Sequence, residues 1–84
     1  MTAGSSKAHV LYAYELSHLT KSHKVRLVYI LKGRAGEKGL IERLKGRFLA
    51  SACFIIPMEQ DSEARQVMDK WHANYSRHKI MLID

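Results

Sequence analysis

The chain has few of the residues that mark specialised classes of protein. Its 84 residues include one cysteine, Cys53, and one proline, Pro57. A lone cysteine cannot form an intramolecular disulfide, which excludes a disulfide-stabilised mini-protein and suits a reducing, cytoplasmic compartment. The sequence has no run of about 18 apolar residues, so we expect no membrane-spanning helix and no membrane partner. Independent domains usually reach about 100 residues or more, so this length allows one domain at most.

Acidic residues are also scarce, and the basic excess is unevenly distributed. Fourteen lysines and arginines stand against eight aspartates and glutamates, which gives a net charge of +6. Residues 21–47 carry nine of these cations but only two carboxylates, Glu37 and Glu42. Such clustered charge is typical of a protein that contacts a phosphate backbone. We therefore predict nucleic-acid binding at nine residues: Lys21, Lys24, Arg26, Lys32, Arg34, Lys38, Arg43, Lys45 and Arg47.

Motifs for catalysis, cofactors and metals are missing from the sequence. The five histidines are accompanied by no Cys-x-x-Cys or His-Glu-x-x-His spacing, so we predict no metal site, no cofactor and no enzymatic activity. Cys53 lies in an apolar segment without a neighbouring cation that would favour the thiolate, so we expect an inert, buried thiol. The glycine-rich segment 33–39 is not a P-loop, because no Gly-Lys-Ser/Thr follows it.

Alternation of apolar residues predicts the strands. We expect four of them, at residues 9–16, 40–44, 47–56 and 79–83. Pro57 would end the third strand, and a tight turn at Lys45-Gly46 would join the second and third as a hairpin. Residues 1–8 lack the apolar segment of a signal peptide and indicate a flexible leader, and residues 9–84 form a single domain.

The first helix is predicted between a cap and a terminal glycine. Thr20 or Ser22 can accept a backbone N–H bond at its start, and Gly33 suits a left-handed position at its end. Residues 25–31 are also rich in strand formers, but the cap and the glycine favour a helix. Four apolar residues form its expected stripe: Val25, Leu27, Val28 and Leu31.

The second helix has the clearest helical periodicity in the chain. Asp61 is predicted as its N-cap, and Glu63 lies near the positive end of the helix dipole. Its apolar residues recur every three or four positions: Ala64, Val67, Met68, Trp71 and Tyr75. A turn at residues 76–78 would lead into the last strand.

The element order β-α-β-β-α-β predicts an α+β fold. A four-stranded antiparallel sheet with two helices on one face is the ferredoxin-like, or split βαβ, arrangement. An alternative comes from residues 30–41, which resemble the GxxG loop of KH domains. In that family the loop joins two helices and clamps a nucleic-acid backbone. The resemblance implies a KH-like fold with a second helix over residues 37–44, although Gly39 stands where the family has an aliphatic residue.

The nine cations of residues 21–47 are expected to neutralise the charge of RNA or DNA phosphates, independent of base sequence. The chain would do so alone, as a small protein, or as a subunit of a larger nucleoprotein complex. The glycines of segment 33–39 would either let the backbone approach a phosphate or form a flexible connection. Four strand aromatics would either stack on bases or fill the core: Tyr12, Tyr14, Phe48 and Phe54.

Two other functions stay open. The first and third predicted strands are apolar on both faces, which favours a protein-interaction module that is covered by a second copy or a partner subunit. The element order also resembles that of the small dimeric CRISPR-associated nucleases. Their pattern carries an aspartate at the end of the first strand, where this chain has Glu15. The resemblance implies a metal-dependent nuclease, for which the sequence offers no acidic cluster.

Overall fold

The computed structural model describes residues 6–83. The predicted leader lies outside the described residues as far as residue 5, and residues 6–8 already belong to the first strand. The elements follow in this order: β1 (Ser6–Glu15), α1 (Lys21–Lys32), β2 (Gly33–Arg34), β3 (Glu37–Lys38), α2 (Leu40–Arg43), β4 (Arg47–Ala50), β5 (Cys53–Pro57), a 3₁₀ turn (Met58–Gln60), α3 (Asp61–Lys70) and β6 (Asn74–Ile83).

Four of the strands form one antiparallel sheet in the order β4-β5-β1-β6. Val10 of β1 pairs with Ile56 of β5 on one side and with Lys79 of β6 on the other. The remaining strands, β2 and β3, form a separate two-stranded ribbon at the end of α1. The chain is therefore an α+β protein with a four-stranded antiparallel sheet, and this part of the prediction is confirmed.

The core lies between the helices and one face of the sheet. Its largest strand side chains stack, since the rings of Tyr12 and Phe54 lie 4.9 Å apart at 13°. The fully or nearly fully buried members come from every helix and from both central strands: Val10, Tyr12, Tyr14, Phe54 and Ile56 from the sheet, and Leu27, Leu31, Ile41, Ala64 and Met68 from the helices. Each large apolar side chain contributes about 1.5–3 kcal/mol on burial. Helices this short depend on such packing, because isolated helices of their length are marginal in water.

Helix α1 has the ends that the sequence predicts. The Thr20 hydroxyl accepts a 3.2 Å hydrogen bond from the His23 backbone N–H, which caps the first turn. Gly33 has a φ of +86° and donates its N–H to the Tyr29 carbonyl. These two ends fix residues 25–31 as a helix, and the competing strand interpretation is wrong.

The buried face of α1 differs from the predicted stripe. Leu27 and Leu31 are buried and Val28 is half-buried, whereas Val25 is 40% exposed. Residues two apart on an α-helix point to nearly opposite sides, so Val25 cannot share a face with Leu27. Val25 therefore places an apolar side chain on the outer surface of the helix.

The second predicted strand is wrong, because residues 40–43 form α2 instead. Ile41 and Leu44 are both buried, and their spacing of three matches one helical turn. The predicted strand 47–56 is also wrong as a single element, since a turn at residues 51–52 divides it into β4 and β5, which form the hairpin. The KH-like alternative shares this error, although α2 lies within its predicted second helix.

The predicted boundaries of α3 also shift. Asp61 is the first helical residue and not the N-cap, because the helix continues from a 3₁₀ turn and Gln60 takes the cap position. The helix ends at Lys70, so Tyr75 belongs to β6 and not to the helical stripe. The turn predicted at residues 76–78 lies earlier, around His72 with its φ of +59°.

Candidate nucleic-acid interface

The nine predicted cations are spread over five elements and one turn. Eight are exposed and Lys24 is half-buried. In the described part of the chain the one ion pair within 4.0 Å joins Arg77 to Asp61, so no carboxylate neutralises any of the nine at that distance. Their distribution is as follows: Lys21, Lys24, Arg26 and Lys32 on α1, Arg34 on β2, Lys38 on β3, Arg43 on α2, Lys45 in a turn and Arg47 on β4.

Three of these cations meet in one groove of about 270 Å³ between α1, the β2–β3 ribbon and α2. We call it the Tyr29 groove, and its lining residues are Tyr29, Ile30, Gly33, Arg34, Glu37, Lys38 and Arg43. Each cation comes from a different element, so the groove exists only in the folded chain. Glu37 is the one acidic residue in the lining.

Two glycines build the groove by close backbone packing. A Cβ on Gly33 would overlap the Glu37 carbonyl oxygen, and a Cβ on Gly39 would overlap the Leu31 carbonyl oxygen and the Gly33 nitrogen. The positive φ of Gly33 also turns the chain out of α1. These glycines therefore serve contacts within the chain. Among the glycines that the structure describes, only Gly36, at the ribbon tip with a φ of +86°, has open space around it.

Tyr29 is the residue of this groove that sequence reasoning missed. Its side chain is 42% exposed, and the Arg34 guanidinium carbon lies 4.5 Å from its ring centroid. This distance is within the range of a cation–π contact. The signal in the sequence was weak: Tyr29 lies two residues from both Leu27 and Leu31, so it falls on the side of α1 opposite the buried face.

Tyr29 also borders a second, apolar groove of about 210 Å³ on α1. We call it the α1 shelf, and it is lined by Lys24, Val25, Val28 and Tyr29. The exposed Val25 described above is part of this surface. A strip of surface thus runs from Lys24 along the shelf to Tyr29 and into the Tyr29 groove.

The other five predicted cations lie outside this strip. Lys32 and Arg47 line a neighbouring cleft of about 330 Å³, where the Lys32 Nζ atom lies 4.9 Å from the Phe48 ring centroid. Lys21 and Arg26 are exposed on α1 but line none of these grooves.

The last of the nine, Lys45, lines a cavity of about 750 Å³ with Lys7 and His9. This cavity lies where β5 ends, and Glu59 also lines it. It holds one predicted cation against three in the Tyr29 groove, and no aromatic ring lines it except the imidazole of His9. The structure therefore divides the predicted set, and the Tyr29 groove holds three of the nine cations.

The strand aromatics fill the core. Tyr12, Tyr14 and Phe54 are buried, and the half-buried Phe48 packs edge-on against Phe54 at 5.6 Å. Bases cannot stack on rings that the helices cover. Of the two interpretations of these residues, core packing is the one that the structure supports.

The Arg77–Asp61 ion pair, the one found among residues 6–83, belongs to a polar network at the start of α3. The Tyr12 hydroxyl donates a 2.5 Å hydrogen bond to Asp61, and the Arg77 guanidinium pairs with the same carboxylate. Burial and then the bond to Asp61 raise the pKa of Tyr12. Burial opposes ionisation of Asp61, but the bonds from Tyr12 and Arg77 outweigh it and lower the pKa of that carboxyl. Arg77 therefore has a structural role, because its guanidinium bonds to Asp61 and Tyr12 within the chain.

Glu15, the residue at the position of the nuclease aspartate, is engaged with its own turn. Its carboxylate accepts hydrogen bonds from the backbone N–H and the hydroxyl of Ser17. Among residues 6–83, no group of three or more histidines, cysteines, aspartates or glutamates could hold a metal ion. Cys53 is half-buried, so the prediction of a buried thiol is only partly met.

None of the helices between residues 6 and 83 combines the length and the apolar character needed to cross a membrane. No protein-family model, curated protein or solved structure matches the chain.

Proposed function

We propose that this chain binds nucleic acid through the phosphate backbone, with the Tyr29 groove as the main contact surface. The observation that carries the proposal is the convergence of Arg34, Lys38 and Arg43 on one groove, where no carboxylate of residues 6–83 lies within 4.0 Å of any of them. Arginine can bind a phosphate through two parallel hydrogen bonds, and lysine supplies a point charge. Glu37 offsets one of the three charges, so the groove keeps a net positive charge.

The remaining cations would act at longer range. Lys32 and Arg47 line the neighbouring cleft, where Glu42 offsets one of their two charges, and Lys24 lies at the end of the α1 shelf. Exposed charges interact across about 8–10 Å at physiological salt, so neighbouring grooves add to one positive field. Contacts of this kind bind RNA or DNA irrespective of base sequence and weaken as salt rises.

For the fold, we propose the ferredoxin-like arrangement. The strand order β4-β5-β1-β6 with antiparallel neighbours supports it, as does the position of α1 between β1 and β4 and of α3 between β5 and β6. The ribbon and α2 are then insertions into the first crossover. Since these insertions supply Arg34, Lys38 and Arg43, the proposed site is formed by segments that are added to the ferredoxin-like arrangement.

A charge-matched pair of triple variants tests the proposed function. One variant replaces the groove cations, Arg34→Gln, Lys38→Gln and Arg43→Gln. The control removes the same charge elsewhere, with Lys7→Gln, Lys70→Gln and Lys79→Gln, which are exposed and lie outside the groove. Binding to labelled RNA and DNA is measured by fluorescence anisotropy. We expect the groove variant to lose about 100-fold or more in affinity, because three charge-assisted contacts of about 1 kcal/mol or more each are removed and about 1.4 kcal/mol is a factor of ten, and the control to lose much less. Equal losses would contradict a site at the groove.

A second candidate function, assembly with another copy of the chain, is favoured by the β1–β6 ribbon. β6 is an edge strand, and β1 pairs with it beyond His9, where β5 ends at Pro57. Met81 and Ile83 on this part of β6 are 59% and 80% exposed. An unpaired edge with exposed apolar side chains is a site for strand addition.

Light scattering of the purified chain tests this second function. A dimer that dissociates on Met81→Lys with Ile83→Lys, and not on Val25→Lys, would support assembly through β6. A monomer at all accessible concentrations would contradict it. Nucleic-acid binding by that monomer would support the first function and contradict only the second.

A further inference from the structure

We propose that the Tyr29 groove selects single-stranded nucleic acid, by stacking one unpaired base on the Tyr29–Arg34 pair. This inference rests on the proposed function and specifies its ligand. Tyr29 is 42% exposed and lines the groove, so its ring is available at the surface. In a duplex the faces of the bases are covered by their neighbours, and only a strand with unstacked bases can offer one to such a ring.

The Arg34 side chain adds to the stacking platform. Its guanidinium carbon lies over one face of the Tyr29 ring, 4.5 Å from the centroid, so a base would stack on the outer side of the guanidinium or on the other face of the ring. Bases stack on guanidinium planes as well as on aromatic rings. The groove of about 270 Å³ would take a single base.

Cations flank this platform on both sides. Lys38 and Arg43 line the same groove, and Lys24 lies at the far side of the α1 shelf. A strand with one base on Tyr29 therefore has positive charge for the phosphates before and after it. The apolar Val25 and Val28 between Lys24 and Tyr29 provide a surface for the neighbouring base.

Two substitutions separate stacking from charge. Tyr29→Leu removes the aromatic ring and keeps an apolar helix former, whereas the matched control Tyr29→Phe keeps the ring. Arg34→Lys keeps the charge and removes the planar guanidinium. Circular dichroism checks that each variant is folded, which we expect because both side chains are exposed.

Fluorescence anisotropy measures binding of a labelled single-stranded oligonucleotide and of the same sequence as a duplex, for both RNA and DNA. A 2-aminopurine base in the single strand reports stacking directly through its fluorescence. We expect a preference for the single strand and a loss of roughly 5- to 150-fold with Tyr29→Leu, the range of one stacked base. Tyr29→Phe should bind as the unmodified chain does. Arg34→Lys should lower the single-strand preference and leave the salt dependence unchanged.

The outcomes distinguish this inference from the function on which it rests. Equal binding to single strand and duplex, unaffected by Tyr29→Leu, would overturn the stacking inference and leave backbone binding intact. Absence of binding to every oligonucleotide at low salt would overturn both. Preference for the duplex would overturn the inference alone.

Discussion

Tyr12 and Asp61 lie 49 residues apart in sequence and are joined by a 2.5 Å hydrogen bond from the phenol to the carboxylate. Arg77 of β6 pairs with the same carboxylate, and its Nε lies 3.3 Å from both Asp61 and the Tyr12 oxygen. The three residues thus connect β1, the first turn of α3 and β6. This network explains why Asp61, which the sequence marks as a helix cap, acts instead as a link between the helix and the sheet.

We predict that Asp61→Asn destabilises the fold at pH 7 and removes part of its acid sensitivity. The pKa of the folded carboxyl is lowered, so its stabilising effect is present above the unfolded value of about 4 and is lost as the pH falls through the folded pKa. Loss of the charged acceptor should cost about 1.5–3 kcal/mol at pH 7. Thermal melts at pH 7 and pH 3 measure this loss of stability and its pH dependence, with a substitution of the exposed Glu59, Glu59→Gln, as the control. Parallel pH profiles for both variants would contradict the role of Asp61.

The phenol of Tyr12 should contribute separately. Tyr12→Phe keeps the ring that stacks on Phe54 and removes only the hydroxyl, so we expect a loss of about 1–2 kcal/mol in the free energy of unfolding. The pKa of Tyr12 is raised, so the neutral phenol stabilises the fold below the unfolded pKa of about 10. That stabilisation starts to fall once the pH exceeds the unfolded pKa, so it is already reduced at pH 11, and it is lost as the pH rises through the folded pKa. Urea melts at pH 7 and pH 11 check both points, and an unchanged midpoint at pH 7 would argue against the network.

Thr20 should stabilise α1 where Ser22 does not. The Thr20 hydroxyl caps the His23 N–H, so Thr20→Ala should cost about 0.5–2 kcal/mol. Ser22 lies inside the helix, where alanine is the better helix former, so Ser22→Ala should be neutral or slightly stabilising. Denaturant unfolding of the two variants compares them. A larger loss of stability with Ser22→Ala than with Thr20→Ala would contradict Thr20 as the N-cap of α1.

The glycines of the ribbon should differ in what they tolerate. Gly33→Ala places a Cβ against the Glu37 carbonyl oxygen and in a left-handed conformation, so we expect the ribbon to be displaced and nucleic-acid affinity to fall. Gly36→Ala carries only the conformational cost, about 1–2 kcal/mol, because the space around it is open. Anisotropy and thermal melts of both variants test the contrast, and equal affinities would indicate that ribbon placement does not matter for binding.

Local signals in the sequence were sufficient for much of the fold. The cap at Thr20 and the glycine at 33 decided between a helix and a strand for α1, and both have the expected geometry. The spacing of Ala64 and Met68 predicted the middle of α3, and both residues are buried. These signals act within one or two turns of chain, so they do not depend on the rest of the molecule.

The errors arose where tertiary contacts decide. Four residues at 40–43 are too few for periodicity to separate a strand from a helical turn, and the burial of Ile41 settled it. The turn that divides β4 from β5 lacks glycine and proline, and the alternation of apolar residues runs through it, so it was predicted as part of one strand. The candidate site was predicted by charge alone. Which cations share a groove depends on how the ribbon folds back onto α1, and the exposure of Tyr29 follows from the rotation of that helix.

The most direct test of nucleic-acid binding at the Tyr29 groove is the salt dependence of affinity, compared between the unmodified chain and the Arg34→Gln, Lys38→Gln, Arg43→Gln variant. For a single strand, each phosphate contact contributes about 0.7 to the slope of log affinity against log salt. We expect the variant to lose about 2 from the magnitude of that slope, which corresponds to three contacts. An unchanged slope, or affinity that does not depend on salt in the unmodified chain, would contradict a phosphate-binding site at this groove.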